Sequence, residues 1–395
     1  MNKGLMPVAL WVLTVAFALA PPLLSVAPLG MAPLMIAAGV LAYAAERVQS
    51  GTWPGVPASA AAFFIAFIVW CALSLIWDIN PGSGARKLID IVLETAALLA
   101  LLALAGRLGA EQSRRLSWAL VGGMLAGLVL LAIEALFDFP LYRAVMGNNA
   151  KLTDLVEAKR STDALPLLVW PACLALARLG RPWLGAVLAV VFAVASVKLT
   201  ASSATLGMAL SLVVFAACFA STVWVRRFLT MATMLAFAVI LPLSIFAYSH
   251  GGTTAPWIKH SGQHRVEIWH FAAERTLERP LFGWGFNASR YVPNGDAVSQ
   301  FLPPGQSLIP LHPHDAFLQV WLEIGAVGAI IVAGILLLGL KAIGQWPAAV
   351  ARFALPGYAA GLVIAGLAFG IWQSWWMATL AFSAVAYRMI GPEHG

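Results

Sequence analysis

The chain has 395 residues, of which 61% are hydrophobic and only 10% are charged, and its formal net charge is +7. Soluble domains carry charged residues at about a quarter of their positions, so this composition excludes an ordinary soluble protein. Because a membrane-spanning helix needs roughly 20 apolar residues, the length suits one all-α polytopic membrane domain, residues 1–395, with about 12 spans.

Apolar runs of spanning length follow one another along the chain, separated by short polar breaks. They predict helices at 6–26, 29–45, 59–77, 88–106, 116–137, 164–178, 182–198, 203–222, 228–248, 316–340, 350–369 and 372–388. The first run is similar to a signal peptide, but Pro21 follows the candidate cleavage position, so we interpret it as an uncleaved helix. The three cysteines lie inside apolar runs and predict neither a disulfide framework nor a metal site: Cys71, Cys173 and Cys218.

The distribution of basic residues predicts the orientation of these spans. An even number of spans places both termini on one side, and Lys3 and Arg388 indicate that this side is the cytoplasm. The short connections and the termini on that side hold half of the 24 lysines and arginines. The other half falls on the predicted outer side. Each of these cations could be a solvated loop residue, but together they indicate a site for an anion such as pyrophosphate, to which arginine donates paired hydrogen bonds.

A polar segment at residues 249–315, which we call the insert, interrupts the apolar pattern and contains all but one of the seven histidines. Apolar residues recur in it at helical spacing: Val266, Trp269, Ala273 and Leu277. This spacing predicts an amphipathic helix that lies on the outer membrane surface. Arg265 lies one turn before Trp269, where it could contact a substrate at the mouth of the site, pair with a glutamate or extend to water.

The sequence His312-Pro-His314-Asp315 immediately precedes the tenth predicted span, and Asp315 is placed to cap that helix. A helix N-terminus favours the neutral imidazole, so His314 is a candidate general base, with His312 as a second candidate. These three residues could instead bind a metal, but no further ligand stands at a recognised spacing, and we predict no metal and no cofactor. A structural histidine at the membrane edge is the other alternative.

Further cations flank the outer ends of other predicted spans. Lys159 and Arg160 end a second outer loop, residues 138–163, and they are either membrane anchors or part of a phosphate site. Arg86 and Lys87 hold the same place at the fourth span and are weaker candidates. Because irregular backbone near a membrane is tolerated only against protein or water, we expect the two outer loops to pack together over a cavity.

Some carboxylates fall inside predicted spans, among them Asp90, Glu94 and Glu323. Ionisable residues at membrane depth mark functional sites by default, although hydrogen bonding to neighbouring helices would explain them equally well.

The spacing of one motif resembles that of a known family. His314 and Asp315 are followed by nine residues and then by Gly325 and Gly328. This pattern resembles that of the bacterial O-antigen ligase and O-antigen polymerase superfamily, in which a ligase histidine precedes Asn, Ser or Gln, nine residues and Gly-x-x-Gly. Asp315 replaces the amide or hydroxyl residue of that pattern.

The resemblance extends over most of the chain. It includes Arg265 with its following tryptophan and the segment Pro280-Leu-Phe-Gly283-Trp-Gly285. The family often carries a Ser/Thr-Arg pair where this chain has residues 200–203, which contain no arginine, so more of the phosphate binding would rest on Arg160 and Arg265.

The resemblance implies a GT-C-like glycosyltransferase of the bacterial inner membrane, with its active site facing the periplasm. It would transfer a glycan from undecaprenyl pyrophosphate to a lipid A-core sugar, with inversion and without a metal. Arg160, Arg265 and Lys159 would bind the pyrophosphate, and His314 would accept the proton of the acceptor hydroxyl. Its partners would be the lipid-linked donor, lipid A-core and membrane lipids, with no nucleic acid.

Three other functions remain open. An O-antigen polymerase would use the same donor but extend another lipid-linked glycan, and a protein O-oligosaccharyltransferase would use a peptide acceptor. A transporter with twelve helices is a different class, which internal repeats and matching broken helices would favour. The sequence shows no repeat by eye, and its polar residues concentrate on the outer side, as an enzyme acting on lipid-linked substrates requires.

Overall fold

The structure is a computed structural model that describes residues 4–137, 139–146, 161–299, 307–309 and 311–391, and all structural statements concern these ranges. Its first helices are α1 Pro7–Val26, α2 Met31–Ser50, α3 Ala58–Ser74, α4 Pro81–Ala105, α5 Ala110–Leu136, α6 Pro140–Met146 and α7 Pro166–Arg178. They are followed by α8 Pro182–Lys198, α9 Ser202–Ala220, α10 Thr222–Ser249, α11 His260–Glu278, α12 Ala316–Ile343, α13 Ala348–Leu367 and α14 Ser374–Ile390. The predicted all-α fold is confirmed.

Each predicted span corresponds to a helix, and eight helices are long and apolar enough to cross a bilayer: α1, α2, α4, α5, α9, α10, α12 and α13. The other four that match predicted spans, α3, α7, α8 and α14, have 13 to 17 residues. Short helices of this kind cross a membrane only where it is thin or where neighbouring protein covers their ends. The count of twelve crossings therefore stays a prediction.

Helix α4 begins at Pro81, well before the predicted residue 88. The Asn80 side chain accepts a hydrogen bond from the Ser83 N–H at 3.2 Å, and proline occupies the first helical position. Both features start helices whatever the hydropathy. Arg86 and Lys87 thus lie inside the helix rather than at its edge.

The helices pack into two hydrophobic clusters. The larger cluster is built from α1, α2, α4, α5, α7, α8, α9, α13 and α14. The smaller one joins α3, α10, α11, the first part of α12 and the insert segment from Trp284 to Val292. The insert is therefore packed into the helix bundle and does not stand apart from it.

Helix α11 is the amphipathic helix predicted in the insert, but its buried face differs from the predicted stripe. Val266 and Ala273 are buried as expected, whereas Leu277 is 55% exposed. Ile268 and Ala272 are fully buried in its place. The face of α11 that packs against α10 and α12 is therefore rotated from the predicted face. Contacts with these neighbouring helices, and not the apolar periodicity alone, determine which face is buried.

Helix α12 is interrupted at Gly325, where φ is 62° and ψ is −166°. The apolar run that predicts a span at 316–340 gives no sign of this interruption. A side chain at this position would be strained, and its Cβ would lie 2.4 Å from the carbonyl carbon of Leu281. The first glycine of the Gly-x-x-Gly motif therefore permits both the backbone turn and the close approach of the insert.

The insert segment from Pro280 to Gly285 satisfies the backbone groups that the interruption exposes. The Ala326 N–H donates to the Pro280 carbonyl at 2.9 Å, and the N–H groups of Trp284 and Gly285 donate to the Leu322 and Glu323 carbonyls at 3.0 and 2.8 Å. The Trp70 indole of α3 donates to the Ile324 carbonyl at 3.0 Å. Broken helices at membrane depth require such partners. The segment Pro280–Gly285 and the Gly-x-x-Gly motif of α12 are therefore two halves of one structural unit.

Replacing Gly325 with alanine is expected to lower stability by about 2–4 kcal/mol. The φ and ψ of Gly325 lie in a region almost restricted to glycine, which costs alanine about 1–3 kcal/mol, and the overlap with Leu281 adds about 1 kcal/mol or more. Gly339→Ala is the matched control, since it lies in the same helix with open space around the added Cβ. Thermal unfolding of the detergent-purified variants measures the difference, and equal midpoints for both would contradict the role of Gly325.

Candidate active site

The turn from His312 to Asp315 enters α12 and is held on both sides. Asp315 is buried, and its carboxylate accepts a hydrogen bond from the Leu318 N–H at 2.8 Å, which makes it the predicted N-cap. His314 adopts a left-handed backbone conformation with φ of 59°. Such a conformation is uncommon for residues other than glycine, with histidine, asparagine and aspartate adopting it more often than most, and it occurs often at functional sites.

The hydrogen bonds of His314 define the state of its ring. Its Nδ1 lies 3.0 Å from the carbonyl oxygen of Ala368, in the connection between α13 and α14. A carbonyl oxygen only accepts, so Nδ1 carries the proton. In the neutral ring the lone pair is then on Nε2, which is the atom able to accept a proton.

His312 has the opposite tautomer. Its Nδ1 accepts the backbone N–H of His314 at 3.1 Å, so the neutral ring carries its proton on Nε2. Nε2 lies 3.2 Å from the side-chain amide nitrogen of Gln373. Amide nitrogen and oxygen are assigned from their hydrogen bonds, and a proton on Nε2 requires the amide oxygen at this position. His312 is buried and supports the turn, whereas His314 has the arrangement of a general base.

The connection from Ala368 to Gln373 is the part of the site that the sequence prediction missed. The predicted spans 350–369 and 372–388 left only two residues for it. In the structure, its Ile371 N–H donates to Gln319 at 2.9 Å, and its Trp372 indole donates to Glu323 at 2.5 Å. Gly370 and the polar Gln373 in an apolar run were the signals that could have revealed it.

Glu323 is fully buried and joins three parts of the site. Besides Trp372, its carboxylate accepts the Asn287 N–H at 2.7 Å, the Gln319 amide at 2.9 Å and the Ser289 hydroxyl. These hydrogen bonds satisfy the oxygen atoms of a carboxyl group that is buried from water. Of the two alternatives for Glu323, the structure shows hydrogen bonding, through which it positions the insert and the Ala368–Gln373 connection.

Arg265 lies near the N-terminus of α11 and is partly buried. Burial lowers the pKa of its guanidinium, and the nearby Asp163 carboxylate opposes this shift. Arginine stays charged in either case. Asp163 also accepts the Ala204 N–H at 2.9 Å, so this carboxylate links Arg265 to the first turn of α9.

Helix α11 connects Arg265 to the histidine turn. The Trp269 indole donates to the Pro313 carbonyl at 3.0 Å. Four residues of α-helix rise by about 6 Å, so Arg265 stands one turn from the residue that contacts the backbone between the two histidines. The structure thus brings together Arg265, His312, His314 and Asp315, which are distant in sequence.

The other predicted cations are placed differently. Lys87 donates to the Asp90 carboxylate at 2.8 Å and to the Ser374 hydroxyl at 3.2 Å, beside the Ala368–Gln373 connection. Its charge is therefore balanced by Asp90. Arg86 is exposed on α4. Lys159 and Arg160, with most of the predicted loop 138–163, lie outside the described residues.

The described ranges contain no group of three or more His, Cys, Asp or Glu residues that could hold a metal ion. A histidine whose Nδ1–H donates to a backbone carbonyl can still bind a metal through Nε2, so the expected absence of a metal stays a prediction.

Asp315→Asn is expected to retain the N-cap and to change how stability depends on pH. Burial raises the pKa of the Asp315 carboxyl to about 7, against the opposing N–H groups of Leu318 and Phe317. A carboxyl group whose pKa is raised by folding stabilises the folded state fully when the pH is below its unfolded pKa of about 3.9. This contribution decreases as the pH rises and is lost once the pH has passed the folded pKa of about 7. The asparagine variant lacks this loss and should unfold a few degrees higher at alkaline pH. Unfolding midpoints from about pH 5 to about pH 9 measure it, and parallel profiles would refute the raised pKa.

Part of the chain is similar in sequence to known proteins. Residues 187–333, from α8 to the second part of α12, match the O-antigen ligase family model. This range includes Arg265, His314 and both motif glycines, but it ends before the Ala368–Gln373 connection.

Three proteins provisionally named polysaccharide ligases are similar to the chain. The protein of Rickettsia bellii is 25% identical over 335 residues, which are 82% of this chain and 79% of that protein. The protein of Rickettsia prowazekii is 31% identical over 134 residues, 33% of each chain, and that of Rickettsia conorii is 31% identical over 134 residues, 33% of this chain and 32% of the relative. The match thus spans about a third of the length of the latter two. The chain is thus similar to the O-antigen ligase family over residues 187–333 and to polysaccharide ligases over a wider range at lower identity.

Proposed function

We propose that the protein is an O-antigen ligase that transfers a glycan from undecaprenyl pyrophosphate to a sugar of lipid A-core at the periplasmic face of the inner membrane. The acceptor hydroxyl oxygen attacks the anomeric carbon of the donor from the side opposite the pyrophosphate. The bond from that carbon to the pyrophosphate oxygen breaks, and the configuration is inverted. The proton of the hydroxyl passes to the enzyme, and no metal takes part.

His314 is the proposed proton acceptor, and the observation that carries the proposal is its hydrogen bond to Ala368. That bond places the proton of the neutral ring on Nδ1 and leaves the lone pair on Nε2. A base fixed in this way contributes about 10²- to 10⁴-fold when it is within hydrogen-bond reach of the reacting hydroxyl. His312 holds the turn and takes no proton.

Arg265 is the proposed ligand of the pyrophosphate. Negative charge grows on the leaving group as its bond to the sugar breaks, and a fixed cation in a partly buried site stabilises that charge. Asp163 balances the guanidinium before the donor binds. Arg160 and Lys159, close in sequence to Asp163, are proposed to complete the pyrophosphate site.

The test uses the full-length protein in detergent with an undecaprenyl pyrophosphate-linked glycan and lipid A-core, in the presence of a chelator. A glycan-bearing lipid on a gel supports the proposal. If lipid A-core stays bare while the donor glycan lengthens, the protein is a polymerase. Glycan transfer to an added peptide instead would identify a protein O-oligosaccharyltransferase, and substrate flux in vesicles without any transfer would identify a transporter.

A further inference from the structure

A cavity lies outside the histidine site, near the end of α3 and the end of α11. Its volume is about 360 Å³, within the range of small-molecule pockets. It is lined by Trp77, Arg279, Pro280, Leu281, Phe282 and Gly283. Leu281 and Phe282 are 60% and 52% exposed, so its apolar wall faces the surroundings of the bundle. None of these residues has a part in the proposed transfer reaction.

One cation stands at this apolar cavity. The Arg279 guanidinium lies 4.0 Å from the centre of the Trp284 ring. Stacking holds the plane of the guanidinium and leaves its N–H edges able to donate to an anion. No carboxylate of the described residues lies within ion-pair distance of Arg279, in contrast to Arg275, which pairs with Glu278 at 2.9 Å.

The walls of the cavity are held by hydrogen bonds and aromatic contacts. The rings of Trp70, Trp77 and Phe282 have centroids 5.6 to 5.9 Å apart. The Trp77 indole donates to the Phe282 carbonyl at 3.2 Å. Tryptophans of this kind are enriched at membrane interfaces, where a polar headgroup and an acyl chain meet. The cavity is therefore formed before any ligand arrives.

We propose that this cavity binds an anionic phospholipid of the surrounding bilayer. One acyl chain contacts Trp77, Leu281 and Phe282, and the phosphate accepts hydrogen bonds from Arg279. The charge decides the headgroup class, because a single arginine beside an apolar wall favours a lipid with net negative charge over one that carries its own ammonium group. The proposal is independent of glycan transfer.

Binding at this cavity would act on the segment that supports the interruption of α12. Pro280 and Leu281 line the cavity and also accept the N–H groups of Ala326 and Val327. A ligand that binds only the docked form of a segment stabilises that form. A bound phospholipid therefore slows hydrogen exchange of the amides in residues 280–285 and 326–327.

Native mass spectrometry of the full-length protein tests the binding. Delipidated protein in detergent is titrated with phosphatidylglycerol and, for comparison, with phosphatidylcholine. We expect tighter retention of phosphatidylglycerol, and Arg279→Gln should weaken it at least about tenfold, as the loss of one charge-assisted contact does. Arg290→Gln is the matched control, because Arg290 is an exposed arginine of the insert that does not line the cavity.

Leu281→Gln provides a second variant, and we expect it to fold because this side chain is mostly exposed. It should weaken binding of both lipids, and phosphatidylglycerol should slow exchange at residues 280–285 in the wild type but not in Arg279→Gln. Equal retention of the two lipids, or equal binding by Arg279→Gln and Arg290→Gln, would overturn the proposal. Competitive displacement of phosphatidylglycerol by undecaprenyl phosphate would also overturn it and would assign the cavity to a polyprenyl chain.

Discussion

His314→Asn is expected to abolish glycan transfer while leaving the protein folded. Asparagine tolerates the left-handed backbone of this position, and its amide can still donate to the Ala368 carbonyl as Nδ1 does. It lacks the Nε2 lone pair, so only the proton acceptor is removed. The expected loss of turnover is about 10²- to 10⁴-fold.

The measurement is the initial rate of transfer to lipid A-core at saturating donor. His314→Ala should be equally inactive but less stable, since it also loses the contact with Ala368. His250→Ala is the control, an exposed histidine at the end of α10. If His314→Asn keeps a rate near that of the wild type, His314 has no role as a base.

Arg265→Gln is expected to lower turnover by about 10²- to 10³-fold, the usual loss when one group that stabilises developing charge is removed. Burial gives this guanidinium more effect than an exposed one would have, because water screens it less. The variant also leaves Asp163 without its cation, which adds negative charge where the pyrophosphate is proposed to bind. Binding of the donor should therefore weaken together with turnover.

Rates and donor KM values for Arg265→Gln, Arg265→Lys and Arg275→Gln separate these effects. Lysine keeps the charge but loses the paired donors, so it should recover part of the activity. Arg275 lies on the same helix in an ion pair with Glu278, and its loss should change the rate little. Equal rates for Arg265→Gln and Arg275→Gln would show that Arg265 does not contact the donor.

The helices follow from the sequence because apolar length is a local property. Their ends do so less well, as Asn80 shows: a single capping residue starts α4 ahead of its apolar run. The motif of His314, Gly325 and Gly328 predicted the region of the candidate site from spacing and resemblance, and the catalytic role of this region stays a prediction. Its physical basis, a broken helix paired with Pro280–Gly285, depends on contacts between segments that periodicity cannot relate.

The Ala368–Gln373 connection was missed for a related reason. Its backbone groups bond to Gln319 and His314, so its conformation is decided by partners about 50 residues away. A two-residue gap between apolar runs gave no sign of this. Likewise, Arg265 was a candidate from its helix, but its neighbour Asp163 comes from a loop whose position no local pattern predicts.

The interruption at Gly325 also separates two mechanical tasks within α12. The part from Ala316 to Ile324 carries the histidine turn, whereas the part beyond Gly325 is a continuous apolar helix that is bonded to the insert at its start, through Ala326 and Val327. Bilayers differ in thickness, and spanning helices adapt to them by tilting. A tilt of the second part can be taken up at Gly325. The distance between Arg265 and His314 is then set by the insert and does not change with the thickness of the membrane.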